Sequence, residues 1–133
     1  MIAVLDAGVA VSIAINDALA PRAHTAVAGY ELRAPAIIDL EVASTLARME
    51  RAKELSAARA ELALSVWLEA AVERVELRRL VVGAFAKRHN VYIADAFYVA
   101  LAESLNVPLI TTDGRLSRAP IPGLTVTLIR RPT

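Results

Sequence analysis

The chain has no cysteine among its 133 residues. Disulfide scaffolds, thiolate metal sites and cysteine nucleophiles are excluded. The absence fits a cytoplasmic setting, which is the expected location. Histidine is scarce too, with only two copies. His24 and His89 have no partner at ligand spacing, so both read as surface or helix-end residues. The five glycines form no phosphate-cradling loop, and no serine stands in a nucleophile-elbow context. Asp6-Ala7-Gly8 lacks the second Asp that a phosphoaspartate phosphatase carries. No apolar stretch is long enough to span a bilayer. Residues 2–15 are broken by Asp6, Gly8 and Ser12 with no basic residue before them, which does not read as a signal peptide. Repeats, low-complexity tracts and linkers are absent.

Apolar side chains are abundant. Hydrophobic residues make up 56% of the chain and the mean hydropathy is +0.48. A chain this short reads as a single domain, 1–133, with one core. The apolar surplus is then expected at a subunit or partner interface, not in a membrane. Lys and Arg total 15 against 14 Asp and Glu. Setting four acids aside in one site leaves 10 of those 14 against 15. A mildly basic surface around an acidic pocket suits a nucleic-acid substrate.

Hydrophobic periodicity orders the chain into alternating strands and helices. A buried strand is expected at 2–5, helices at 9–18 and 22–29, and a short strand or extended entry at 34–38. Asp39 reads as the N-cap of a helix to about Lys53, with Leu40, Ala43, Leu46 and Ala47 as its stripe. Ser56 reads as the cap of a helix to about Arg74, with Leu62, Val66 and Ala70 facing inward. A short strand follows at 75–77, then helices at 79–89 and 94–105. The second of these carries Phe97, Leu101 and Leu105. A strand at 107–111, a turn at Asp113-Gly114 and a strand near 125–129 complete the order. Such alternation argues for an α/β fold: a parallel sheet with helices on both faces.

Four acids fall where strand and helix signals change over: Asp6, Glu41, Asp95 and Asp113. Ligands gather outside the carboxyl ends of parallel strands, so these four are candidates for one site. Each has a plain structural alternative. Glu41 and Asp95 would favour the positive ends of their helices, and Asp113-Gly114 is a common turn pair. Asp6 resists this reading, because a carboxylate directly after a buried strand is costly without a partner. Carboxylates without His or Cys suit a hard divalent cation. The chemistry that follows is metal-assisted attack on a phosphate. Thr111 and Thr112 could support it by hydrogen bonds, and Arg115 and Arg118 could meet substrate phosphates, with solvated surface charge the favoured reading for Arg118. Trp67 reads as core or interface. Tyr92 and Tyr98 flank Asp95 and could touch a base, with a packed role favoured for Tyr98.

Asn90 to Leu116 contains N-V-Y-I-A-D-A-F-Y-V-A-L-A-E and then V-P-L-I-T-T-D-G-R-L. Near the N-terminus stands V-L-D-A-G-V-A, followed later by A-P-A-I-I-D-L-E-V-A-S-T-L and R-A-K-E-L-S-A-A-R-A. Together these segments resemble the PIN-domain ribonucleases of the VapC toxin type over nearly the whole chain. The resemblance implies a PIN-like three-layer α/β/α fold with a mostly parallel central sheet. It implies a Mg²⁺- or Mn²⁺-dependent endoribonuclease, with Asp6, Glu41, Asp95 and Asp113 as catalytic residues and metal ligands. The implied partners are a cognate antitoxin, an RNA substrate and a second copy in a homodimer. The chain departs from the family at Gly8, where the family usually has Ser or Thr. That departure leaves open a PIN-fold module that binds without cutting. The apolar helices around 9–29 and 55–73 are the expected interfaces, with Leu64, Leu68 and Ala71 forming a second stripe beside Leu62 and Val66.

Overall fold

The structure, a computed structural model, describes residues 1–131. In chain order the elements are β1 (Ile2–Leu5), α1 (Ala7–Ile15), α2 (Ala20–Val27), β2 (Glu31–Pro35), α3 (Ile38–Arg51) and α4 (Ala57–Glu69). They continue as β3 (Val72–Val75), a 3₁₀ turn (Leu77–Arg79), α5 (Val81–Phe85), α6 (Ile93–Leu105), β4 (Leu109–Thr111), α7 (Gly114–Ser117) and β5 (Val126–Leu128). The five strands form one sheet in the order β3-β2-β1-β4-β5, and every pairing is parallel.

The central strands are the most apolar because both of their faces are covered. Ala3, Val4, Leu5, Leu109 and Ile110 are all buried. From β1 the chain steps outward to β2 and β3, then returns to lay β4 on the other side of β1. Right-handed crossovers place the helices of the two halves on opposite faces. The packing follows this division: α1 lies against α2, α3 and α4, while α6 lies against β1 and β2 and carries α5. The reversal of strand order opens a switch point between β1 and β4, where a crevice forms beyond the strand ends.

Several element ends and faces differ from the sequence-based expectation. The extended segment expected at 34–38 is instead β2 at Glu31–Pro35, and Ile38 is already helical. Asp39 is not an N-cap: Ile37 holds that position without a side-chain bond. Asp39 instead accepts hydrogen bonds from Trp67 Nε1 at 2.8 Å and from Arg74 Nη2 at 2.9 Å. Arg74 also lies 4.5 Å over the Trp67 ring, so this cluster ties α3, α4 and β3 together. Ser56 caps α4 as expected, but α4 stops at Glu69 and the strand beyond is Val72–Val75. The stretch 79–89 yields only α5, after a 3₁₀ turn.

The inward face of α4 is also different. Ala60, Ala63 and Trp67 are buried, while Leu62 and Leu68 are 65% and 62% exposed. Glu61, Ser65 and Glu69 recur every fourth residue as an exposed polar stripe opposite this face, and Trp67 on the inward face donates to Asp39. On α3 the buried stripe is Ile38, Val42 and Leu46, with Leu40 exposed.

Candidate active site

The four acids stand at the carboxyl edge of the sheet. Asp6 directly follows β1, and Asp113 follows the neighbouring strand β4 by two residues. Glu41 and Asp95 lie in the first turns of α3 and α6. The extended backbone of Asp6 lets its carboxylate cap α1, accepting from the Ala7 N–H at 2.8 Å. Its other oxygen accepts from the Thr111 hydroxyl at 2.5 Å. Thr111 is fully buried, and its hydroxyl oxygen in turn accepts from the Asp113 N–H at 2.9 Å. One hydroxyl thus links the acid after β1 to the acid after β4. Glu41 accepts from the Tyr98 hydroxyl at 2.5 Å. Tyr98 is fully buried on α6, one turn beyond Asp95, so Asp95 and the group that holds Glu41 share a helix.

Burial and mutual repulsion set the charge state. Burial pushes the Asp6 carboxyl up to about 6, against its bonds from Thr111 and Ala7, and the charges of Asp95 and Glu41 add to the rise. Burial also raises Glu41, opposed by the Tyr98 bond and reinforced by Asp95. Asp95 is raised by burial and by the charge of Asp113, with Arg115 opposing. Burial alone would raise Asp113, but hydrogen bonds and charge from Arg115 outweigh it and hold Asp113 below its usual range. Asp95 is therefore the hub that feels or affects each of the other three.

Three of the four carboxylates thus carry a charge that burial and neighbouring acids disfavour, and the Arg115 guanidinium beside them is engaged by Asp113. A hard divalent cation with oxygen ligands would offset that charge. The donor chemistry fits such an ion. The side-chain positions are not a closed cage: among the described residues, no group of three or more acids or histidines is drawn in tightly enough to hold a metal. Asp6 faces Thr111, Glu41 faces Tyr98, and Asp113 faces Arg115, whose guanidinium lies 3.1 Å away. Both oxygens of Asp6 and both of Asp113 accept such bonds, and Tyr98 holds one oxygen of Glu41.

Position 8 has a counterpart. A Cβ built on Gly8 would stand 2.5 Å from the Thr112 hydroxyl oxygen. The volume that a side chain at position 8 would fill is occupied by a hydroxyl from the turn after β4. Thr111 and Thr112 therefore divide the expected support, one bonding two acids and the other filling the space beside Gly8. The Tyr98 contact to Glu41 went unrecognised in the sequence, because a tyrosine in an apolar stripe signals core packing first.

His24 and His89 are exposed. Trp67 is a core residue at 2% exposure, and Tyr92 is 71% exposed. An apolar groove of about 350 Å³ runs between α1, α2 and α4, lined by Ile13, Val27, Tyr30, Val66 and Ala70 among others. Of the expected stripe on α4 and beyond, Val66 and Ala71 line this groove, while Leu62 and Leu68 lie exposed outside it. A second exposed apolar group, Val81, Val82, Phe85 and Ile93, lies on α5 and the start of α6.

Comparison with known proteins agrees with this architecture. The PIN domain profile matches residues 3–122, a span that includes all four acids. Ribonuclease VapC3 of Mycobacterium tuberculosis is 43% identical over 88 residues, which are 66% of this chain and 64% of that protein. The aligned segment thus spans just under two thirds of that relative's length. VapC ribonuclease Mb0985 of Mycobacterium bovis is 39% identical over 114 residues, covering 86% of this chain and 87% of that one. Among solved structures, a toxin–antitoxin complex from Klebsiella pneumoniae superposes with a TM-score of 0.67 at 19% identity, covering 98% of this chain and 99% of that one. VapBC2 of Rickettsia felis, bound to a promoter DNA fragment, gives a TM-score of 0.64 at 15% identity, covering 99% and 100%. At these identities the likeness is one of fold.

Proposed function

The chain belongs to the PIN domain family, and from that premise we propose that it is a metal-dependent endoribonuclease, the toxin of a toxin–antitoxin pair. The observation that carries the reading is the acid cluster at the switch point of the sheet, with Asp6 pushed up to about 6. Relatives named VapC ribonucleases at 39–43% identity support the substrate class.

Asp6, Glu41 and Asp95 are the proposed main ligands of Mg²⁺ or Mn²⁺, with Asp113 holding a second ion or orienting the attacking water. When bound, the metal would lower the pKa of water and offset charge at the scissile phosphate. The protein's own contribution is orientation. Thr111 holds one oxygen of Asp6, Tyr98 holds one oxygen of Glu41, and the rigid ends of β1, β4, α3 and α6 set their spacing. Such outer partners fix ligand direction and basicity. The substrate is proposed to be RNA in an exposed single-stranded loop, where bases can be reached.

The cognate antitoxin is proposed to lay an apolar segment into the groove between α1, α2 and α4. A basic side chain of that segment reaching the acids would displace the metal and inhibit. Homodimerisation would cover further apolar surface. No helix among the described residues is long and apolar enough to cross a membrane, and the cytoplasm is the proposed compartment. The non-cutting alternative drew its support from Gly8, and the Thr112 hydroxyl beside Gly8 weakens that support.

The test is direct. Partner-free protein is incubated with structured RNA and Mg²⁺ or Mn²⁺. Cutting should stop with chelator and resume on adding metal, and Asp95→Asn should abolish it with the fold retained. Cutting that persists in chelator, or full activity in Asp95→Asn, would contradict the mechanism.

A further inference from the structure

A cavity of about 450 Å³ opens beside Asp95. Its walls come from the α5–α6 connection and from α7, and they include Arg88, His89, Tyr92, Arg115 and Arg118. That volume lies within the ~300–1,000 Å³ range of small-ligand sites. Among the described residues Asp95 is the one carboxylate in its lining, so the wall beyond it is cationic while the acid cluster adjoins it.

Tyr92 is the unusual member. The residue is 71% exposed and sits at the N-cap of α6 without a side-chain capping bond. Residues three apart share one helix face, so the ring and the Asp95 carboxylate lie one turn apart. The Arg115 guanidinium stands 5.3 Å from the ring centroid while also bonding Asp113. Arg115 thus lies over the ring and ties it to the acid cluster, while most of the residue's surface stays exposed. Arg118 lies along the same wall. Its Nη1 comes within 3.0 Å of where a Cβ at residue 114 would stand, so Gly114 is what lets it lie there.

An exposed aromatic ring flanked by arginines is the device by which single strands are held: the ring stacks a base and the cations meet the backbone. We propose that this cavity binds the nucleotide adjoining the scissile phosphate of a single-stranded RNA, with Tyr92 as the stacking platform and Arg118 as a phosphate contact. This rests on the ribonuclease reading of the acid site. It adds the direction in which the strand leaves that site, towards α7 and the α5–α6 connection. It also names Tyr92 as the residue that selects an unpaired base, because a base inside a duplex has no free face to offer.

The experiment measures binding of a fluorescein-labelled, eight-nucleotide single-stranded RNA by anisotropy in chelator, and cleavage of the same RNA with Mn²⁺. Tyr92→Leu should weaken binding roughly ten-fold or more, the scale of one lost base stack. Tyr92→Phe should bind within about two-fold of the parent, since a phenyl ring retains the π-face that stacks a base. Arg118→Gln should weaken binding and flatten its dependence on log salt by about 0.7, the value of one single-strand phosphate contact. In cleavage, Tyr92→Leu should raise KM more than it lowers kcat. Circular dichroism controls for folding, and both side chains are exposed.

If Tyr92→Leu binds RNA like the parent while the parent still cuts, the subsite is wrong and the nuclease reading stands. If binding depends on Tyr92 but no RNA is cut with either metal, the subsite stands and the nuclease reading falls. If the variants weaken capture of the antitoxin and leave RNA binding unchanged, the cavity is a protein contact and the proposal is overturned.

Discussion

Replacing Asp6 by Asn should stabilise the metal-free protein at neutral pH and lose that advantage in acid. The Asp6 carboxyl is raised from 3.8 to about 6. At 1.36 kcal/mol per pKa unit, holding it ionised above that pH costs the fold about 3 kcal/mol. The sign follows from linkage. Between 3.8 and 6 the folded chain binds more protons at this position than the unfolded chain, so stability falls as pH rises through that window and then levels. Asn carries no charge and escapes the penalty. It keeps an oxygen for the Ala7 N–H, but its amide must donate where the carboxylate accepted from Thr111. The Thr111 oxygen already takes the Asp113 N–H, so its own hydrogen must find a new acceptor. That exchange costs about 1 kcal/mol, leaving a net gain of about 2 kcal/mol at pH 7.5. The assay is urea unfolding of both proteins in chelator at pH 7.5 and 4.5, compared at equal m-values. Asp95 and Glu41 feel the Asp6 charge as it feels theirs, so its removal relieves them as well and adds to the gain at pH 7.5. Added Mg²⁺ should then raise the stability of the parent more than that of Asp6→Asn, because the ion binds the folded state with one ligand fewer. A variant that is no more stable at pH 7.5, or a difference that does not shrink at pH 4.5, would refute the reasoning.

Tyr98→Phe removes the donor to Glu41 with little change in packing; metal affinity, measured by calorimetry, should fall roughly 10–100-fold, while stability shifts by about 1 kcal/mol or less. Gly8→Ser forces its Cβ onto the Thr112 hydroxyl and should cost about 1–3 kcal/mol by thermal unfolding; adding Thr112→Ala should recover most of that, and simple additivity in the double-mutant cycle would count against the contact. Asp39→Ala leaves Trp67 Nε1 and Arg74 without their acceptor and should cost about 1–2 kcal/mol at pH 7. Because Arg74 and Trp67 hold the Asp39 carboxyl below its usual range, its contribution is present above pH 3.8 and should be lost as pH falls through the folded value.

The elements that were legible from residues alone are those where one pattern had no competitor. The run Ile2 to Leu5 could only be a buried strand, and it is β1. The Phe97, Leu101 and Leu105 stripe found α6, where Leu101 is buried and the other two pack against the core. The order of strands and helices implied a parallel sheet, and all four pairings are parallel. Faces failed on α4 because the large apolar side chains of Leu62 and Leu68 border the polar stripe of Glu61, Ser65 and Glu69 while two small alanines and Trp67 turn inward. The indole N–H then finds its acceptor in Asp39, 28 residues before it in sequence. Asp39 misled because its partners are distant. An Asp at a helix start is read as a cap when its true partner, Arg74, is 35 residues away.

The acid site divides along the same line. Which residues carry charge at strand and helix ends is local information, so Asp6, Glu41, Asp95 and Asp113 could be picked out as a group. What orients them is not local. The Thr111 hydroxyl meets Asp6 across 105 residues of chain, and the Tyr98 hydroxyl meets Glu41 across 57. Gly8 shows the consequence most sharply. Taken alone, it is a position where a hydroxyl is missing. Beside Thr112 it is a position where a side chain has no room, because the hydroxyl arrives from the neighbouring strand's turn. A departure from a family pattern at one position is therefore weak evidence for lost activity until the residue filling that volume has been identified, and here the decisive measurement is whether Gly8→Ser is tolerated only once Thr112 is cut back.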